Sequence, residues 1–395
     1  MRSAAARVML LMLLGAGPPM ARANQPADSP TTDEPGAVTA SAPAPTQGDA
    51  TEHSGSAGPE HGPWFYTGLP YGSESLVHPL RLIVNGGFGT LQFDNRSNRL
   101  GDVEFRTGWQ RVREEMRDPI GTIELNGWGD FFRREVLPIS VKRKNAQYWP
   151  NYTLHLVGGG MSYVMMGEWY EQHDIAHPRL FAGATLAAYH VLNEVVEAER
   201  RQETTTDAVA DLAVFDPAGM LLFSHEGVRR FFGRRLNLRD WSSQPAIDPA
   251  NGAIENQGQN FSIKLGLPSS EHWKLFYYFG NHGELGLTYA RPNGSAFSAG
   301  AGLTAKSIVR IGRGVETADL VPSYGFFYDR HGSLMFSLTA ARTSRYRWRV
   351  NAYPGLLRVG RFSPGVFVLL GKDGNAIAGL HFTQFPIGFA GRPRM

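Results

Sequence analysis

"RYRWRVNAY", Arg345–Tyr353, decides the architecture of this chain. Read at a period of two, Tyr346, Trp348, Val350 and Ala352 fall on one side and Arg347, Arg349, Asn351 and Tyr353 on the other. "SAFSAGAGL", Ser295–Leu303, repeats the pattern, with Phe297, Ala299, Ala301 and Leu303 alternating with Ser298, Gly300 and Gly302. One apolar side and one side of Arg, Asn, Ser and Gly is the dyad repeat of a transmembrane barrel. A soluble sandwich gives the same alternation.

Working outward, the zone 237–395 holds further strand candidates: "NFSIKLG", "HWKLFYYFG", "GELGLTYAR", "SLMFSLTAAR", "GVFVLLG" and "AIAGLHFTQF". Gly, Asn, Asp and Pro separate them by short intervals, so neighbours are expected to pair antiparallel as a meander. Residues 62–150 carry "LRLIVNGGFGTLQFDN", "DVEFRTGWQRVR" and "GTIELNGWGDFF", short apolar runs between turn residues, and read as an N-terminal β-region. Residues 151–236 change character and read as a helical insert of about four helices. Pro178 suits a first turn, "TTTD" (Thr204–Asp207) a capping box, and Asp216-Pro217 a cap followed by a first-turn proline. The fold class expected is therefore α+β, an antiparallel barrel-like meander interrupted by a helical bundle.

The chain opens with Arg2 and Arg7, an apolar run from Val8 to Leu14, and Ala21-Arg22-Ala23, the order of a secretory signal peptide over residues 1–23. Residues 24–61 are rich in Pro, Ala, Ser, Thr and Gly and are expected to form a disordered linker. There is no cysteine, so an exported chain of this kind relies on neither disulfides nor thiolate metal sites. With 39 basic and 36 acidic residues the charge is nearly balanced, which argues against nucleic acid as a partner. Basic "FRREVLPISVKRK", Phe132–Lys144, suits either anionic headgroups or a solvated loop. The 23 Phe, 14 Tyr and 8 Trp supply the aromatic belt that a membrane boundary uses. Together these point to export and a bacterial outer membrane, with the periplasm as the alternative. Membrane lipid is the expected partner, and other envelope proteins are further candidates.

In "YHVLNEVVE", Tyr189–Glu197, helical spacing puts His190, Asn193, Glu194 and Glu197 on one stripe. His190 and Glu194, one turn apart, have the spacing of two ligands to one metal, although most such pairs are simply hydrogen-bonded. On the preceding helix His155, Gly159, Ser162 and Met166 share a stripe. Gly158–Gly160 there implies close approach of another backbone. Asp207 and Asp211 follow one turn apart. His155, His190, Glu194 and Asp211 are thus the catalytic candidates, a histidine serving as base and a carboxylate as its orienter. "HDIAH", His173–His177, also has ligand spacing, but Pro178 marks it as a turn between helices.

"LHLVGGGMSYV" (Leu154–Val164) followed by "LAAYHVLNEVVEAERRQETTTDAVADLAVFDPAG" (Leu186–Gly219) resembles the VanZ-like family over about residues 150–225. The resemblance touches His155, Glu194 or Glu197, Asp207 or Asp211, and Gly219. It departs at Leu154, where the family commonly has Lys, and at Asp216-Pro217, near the usual Asn. It implies membrane association and transfers no chemistry, while the remainder of the chain resembles an outer-membrane β-barrel protein. "GGFGTL" (Gly86–Leu91) lacks the third glycine of a dinucleotide fingerprint, and no G-x-S-x-G elbow occurs, so no cofactor is expected. The expected role is structural or lipid-interacting. An envelope enzyme, hydrolase or lipid-modifying, is the alternative, and a small-molecule channel or binding barrel a further one.

Overall fold

The structure is a computed structural model that describes residues 62–137, 148–199, 201, 203–312, 315–372 and 374–392. The expected signal peptide, the linker and most of the basic segment after Pro138 lie outside these residues. Among the described residues eight helices precede a sheet of thirteen strands, so the α+β class stands.

The sheet is β1 (Arg239–Asp240), β2 (Ala246–Asp248), β3 (Ala253–Glu255), β4 (Asn260–Gly266), β5 (Trp273–Gly280), β6 (His282–Ala290), β7 (Ser295–Gly312), β8 (Val315–Arg330), β9 (Ser333–Ala341), β10 (Trp348–Ala352), β11 (Gly365–Leu370), β12 (Ala376–His381) and β13 (Gly388–Gly391). From β4 to β13 each strand pairs antiparallel with the next, as short turns require. β13 then pairs in parallel with β2, β2 with β3, and β1 flanks β4. Among the described residues no ladder joins β1 to β3, and the sheet is open by its hydrogen bonds. Asn98 and Gly252 nonetheless accept from Ile254 and Leu100, which pairs β3 with the segment before the second helix.

The register gives the two faces opposite chemistry. Leu275, Leu287, Ala299, Phe326, Leu338, Val350, Val368, Ala378 and Gly391 are successive partners across nine strands. None of the nine is buried. One position along, Thr288, Ser298, Phe327, Ser337, Asn351, Phe367, Gly379 and Ala390 form the matching row on the other face, and it is covered. Leu285 is 69% exposed while its neighbour Glu284 is 0% exposed. Polar groups on the covered face pair with one another: Thr288 bonds Ser298 at 2.7 Å, Ser323 donates to Glu284 at 2.7 Å, and Lys264 pairs with Asp329. Arg349 donates to the Gln257 carbonyl at 2.6 Å and to Gln92 at 2.9 Å. Trp241, Phe276, Tyr278, Phe327, Leu334 and Tyr353 fill one part of this face as a core cluster.

The N-terminal region corrects the β reading. Its helices are α1 (Pro79–Gly87), α2 (Phe105–Arg117), α3 (Pro119–Asn126) and α4 (Trp128–Phe131, continued by Phe132–Val136). The apolar runs that looked like strands bury residues at helical spacing, Gly108, Val112 and Glu115 on α2, for example. His78 and Asp118 accept from the Leu80 and Gly121 amides, and Pro79 and Pro119 occupy first turns, so two capping signals went unread.

Among the described residues the zone expected as an insert contains four helices, α5 (residues 148–172), α6 (Pro178–Ala198), α7 (residues 207–224) and α8 (residues 226–235), but helices rather than strands precede it, so it interrupts no β-meander. The turn at His173–His177 is as expected, with His177 in the left-handed region at φ 60°. Two local readings change. Thr206 stands before α7 but makes no capping bond; instead the Thr205 amide donates to Glu115 at 2.9 Å. Pro217 does occupy the first turn of the α-helical part, Asp216–Ser224, but Asp216 is no cap, because the π-helical stretch before it runs straight into that helix. The π-helical stretch Ala210–Phe215 just upstream accommodates the amide that proline lacks.

Helices and sheet meet on the apolar face. Phe261 of β4 and Phe279 of β5 join Met161, Met165, Met166, Leu186, Tyr189 and Phe223 in one core. Each such buried side chain contributes on the order of 1.5–3 kcal/mol. The segment leading into α1 is tied to α5 by Glu168, which accepts from the amides of Trp64 at 2.6 Å, Phe65 at 2.9 Å and Tyr66 at 2.8 Å.

Candidate functional site

Three glycines position the site. A side chain at Gly158 would meet the Phe261 ring at 2.5 Å, one at Gly159 would come to 3.3 Å from His190 Nε2, and one at Gly160 to 2.7 Å from the Gly219 carbonyl. α5 therefore lies flush on the sheet, on α6 and on α7 through consecutive residues, the close approach expected of the run. Gly219 answers from α7: its missing Cβ would sit 2.7 Å from the Leu156 carbonyl and 2.9 Å from that of His155. His155 lies on the π-helical turn Asn151–Gly159 and Asp211 on Ala210–Phe215. π turns rotate side chains out of α register and recur at functional sites.

The crossing brings all four sequence candidates together and adds one that was missed. His155 Nδ1 is 2.9 Å from Asp216 Oδ1, and its Nε2 is 3.3 Å from Asp211 Oδ2. His190 Nδ1 is 3.2 Å from the same Asp216 oxygen, but the angles do not make a hydrogen bond. Asp216 is therefore the orienter of His155, the part assigned to Glu194 or Asp211. Its signal in the sequence was an Asp before Pro, which capping explained equally well. Glu194 lies beside Asp207 and Asp211 rather than beside the histidines. Asn193, on the same stripe, faces α1 and donates to the Gly86 carbonyl at 3.4 Å.

One guanidinium serves the carboxylates. Arg201 pairs with Asp207, with Glu197 at 3.4 Å and with Glu194 at 3.7 Å. Glu115 and Glu135 stand at the edge, bonded to Thr205 and Asn151. The centre is deeply covered, with His190 0%, Glu194 1% and Asp211 4% exposed, while Glu197 at the rim is partly exposed.

Burial and mutual repulsion set the protonation. Burial, reinforced by Asp207 and Asp211, pushes the Glu194 carboxyl well above its usual range, and burial with Asp207 and Asp216 does the same for Asp211. Burial with Asp207 pushes Glu135 up to about 8. His190 is driven down to about 3 by burial, with His155 adding to the effect and Asp216 opposing it. Burial also opposes charge on His155, but Asp216, Glu194 and Asp207 outweigh it and hold its pKa above the ordinary value. The two histidines, with ring centroids 4.7 Å apart, are thus tuned in opposite directions, the disposition of an acid and a base.

A cleft of about 1030 Å³ opens beside the cluster. Trp149, His155, Tyr189, Asp207 and Asp211 line its helical wall; Ile263, Leu275, Leu285, Leu303 and Leu320 line the wall made by the apolar face of the sheet. No family model, curated protein or solved structure matches this chain. What the geometry offers chemically is a histidine held by a carboxylate, a second neutral histidine and an acidic trio, all at the end of a greasy cleft. Two trios could hold a cation: His155, His190 and Asp216, and Glu194, Asp207 and Asp211. In each, one ligand atom per residue lies within 4.8 Å of the others. His190 and Glu194, read as ligands of one metal, fall in different trios.

Proposed function

We propose that this chain is an exported outer-membrane protein whose sheet rests in lipid and whose helical domain takes an acyl chain into the cleft. The observation that carries the reading is the unbroken apolar row from Leu275 to Gly391, none of it buried across nine strands, while Thr288, Ser298, Ser337 and Asn351 lie on the covered face. Monomeric soluble proteins rarely expose so large an apolar surface, and lipid-facing strands have this polarity. Lipid does not tolerate open sheet edges, and the bonds from the Asn98–Leu100 segment to the β3 hairpin supply one edge with partners. The signal-like N-terminus and the VanZ-like layout of residues 150–225 support the same location. No described helix is long and apolar enough to cross a membrane, so the sheet would be the embedded part.

The mature protein should sediment with outer membranes and resist alkaline extraction. Recovery from the periplasm as a monodisperse species without detergent overturns the proposal.

A second reading, an envelope hydrolase or lipid-modifying enzyme, is favoured by one observation: the cleft wall that would hold an acyl chain ends on His155, Asp207 and Asp211. In that reading His155 is the base and Asp216 orients it. A His155→Gln protein that is folded and correctly localised but fails to complement a deletion strain supports the enzyme. Full complementation by that variant leaves lipid binding alone. A channel draws less support, because aromatic side chains and the polar network fill the covered face of the sheet.

A further inference from the structure

Glu194, Asp207, Asp211 and Asp216 crowd four carboxylates around His155 and His190 in the interior. Burying uncompensated charge costs several kcal/mol per ion. The hydrogen bonding is incomplete as well: both ring nitrogens of His190 and Oδ1 of Asp211 are buried without a hydrogen-bond partner, and Oε2 of Glu194 has only the Arg201 guanidinium, 3.7 Å away. Buried polar atoms in folded proteins are nearly always satisfied by protein, water or an ion. A closed network around Arg201 accounts for Glu194, Glu197 and Asp207, but it leaves His190 and the second Asp211 oxygen unexplained.

We propose that this cluster is a metal centre for two divalent first-row transition-metal ions, one in each trio, with Asp211 between them. Asp211 belongs to the acidic trio and also lies 3.3 Å from His155 of the other trio, so its carboxylate adjoins both sites. The imidazole and carboxylate donors of the first trio suit zinc, manganese or ferrous iron, and the second trio, all carboxylate, suits manganese best among these. Ligands on facing helices are how helical domains build such centres. His155, Asp207 and Asp211 also line the cleft, so a bound pair would be reachable from it. This assignment rests on the cluster alone and does not depend on where the protein resides.

The test uses the full chain purified in detergent, stripped with a chelator and dialysed against Zn2+ or Mn2+. Two zinc ions should be retained per chain, with a melting temperature several degrees above the stripped protein that falls again on chelation. The manganese form should give an exchange-coupled paramagnetic resonance spectrum. Asp211→Asn should lose the coupled spectrum and His190→Gln should lower the stoichiometry, while both keep the melting temperature of the stripped protein. Should those variants fail to fold, Co2+ loaded into the unmodified protein decides through the absorption of nitrogen- and oxygen-ligated cobalt. Fewer than two ions per chain, an uncoupled manganese spectrum, stoichiometry unmoved in folded variants, or cobalt without that absorption each overturns the proposal.

Discussion

The sheet and the helical domain both bury ions, and they balance them differently. On the covered face of the sheet, Lys264 meets Asp329 one to one, with the ammonium 4.7 Å from the Trp241 ring centroid. In the helical domain, Arg201 serves Glu194, Glu197 and Asp207, and Asp211 and Asp216 lie beyond its reach beside two histidines. A matched pair needs nothing from outside and acts as a staple. A mismatched cluster persists only where protons or cations make up the difference, which is the condition of a site rather than of a scaffold.

Removing either region's cation should cost most. Lys264→Met and Arg201→Met each strand buried carboxylate and should destabilise by about 3–5 kcal/mol in denaturant titration of detergent-solubilised protein. Removing a carboxylate separates the regions. Asp329→Asn strands Lys264 and should destabilise on a similar scale, whereas Glu194→Gln replaces a carboxyl whose anion burial and acidic neighbours already disfavour and should leave chelator-treated protein unchanged or slightly more stable. Equal losses from the two variants would erase the contrast.

Leu287→Arg puts a charge on the apolar row and should weaken folding into lipid vesicles by about 2–4 kcal/mol. Unaltered insertion would argue against lipid there. Gly160→Val forces a side chain onto the Gly219 carbonyl and should cost about 1–3 kcal/mol, read as a lowered melting temperature of the helical domain.

The smallest effect is a pH slope. Burial raises the Glu168 pKa despite the amides of Trp64, Tyr66 and Phe65. A folded pKa above the unfolded one means that the folded state holds its proton longer. That contribution is present below the usual carboxylate range and is lost as pH rises through the raised value. Glu168→Gln should flatten this part of the stability profile, and an identical slope in the variant would show that another group sets it.

Strands with strict alternation were legible from composition alone: β4 to β7 and β9 to β12 all lie where the sequence put them. β8 was not, because "VETADLVPSYGFFYDR" mixes Asp, Pro and Gly into its run. Pro322 sits just before the residues where β9 pairs with that strand. The N-terminal helices were missed because glycine and β-branched residues mimic turns and strands, while packing decided in favour of helix. Of the site, His155, His190, Glu194 and Asp211 could be read from spacing. Their convergence could not, because it depends on two π turns and on the crossing at Gly160 and Gly219, and Asp216 hid behind a reading as a cap.

The central claim, that the apolar face of the sheet meets lipid, can be tested with one pair of spin labels, since the chain has no cysteine to compete. Labels at Leu287→Cys on the apolar row and at Glu271→Cys in the exposed turn before β5 are compared in reconstituted vesicles for collision with oxygen and with a water-soluble nickel complex. The account predicts that the label at 287 collides with oxygen and is shielded from nickel, while the label at 271 shows the reverse. Nickel access at 287 equal to that at 271 would contradict it.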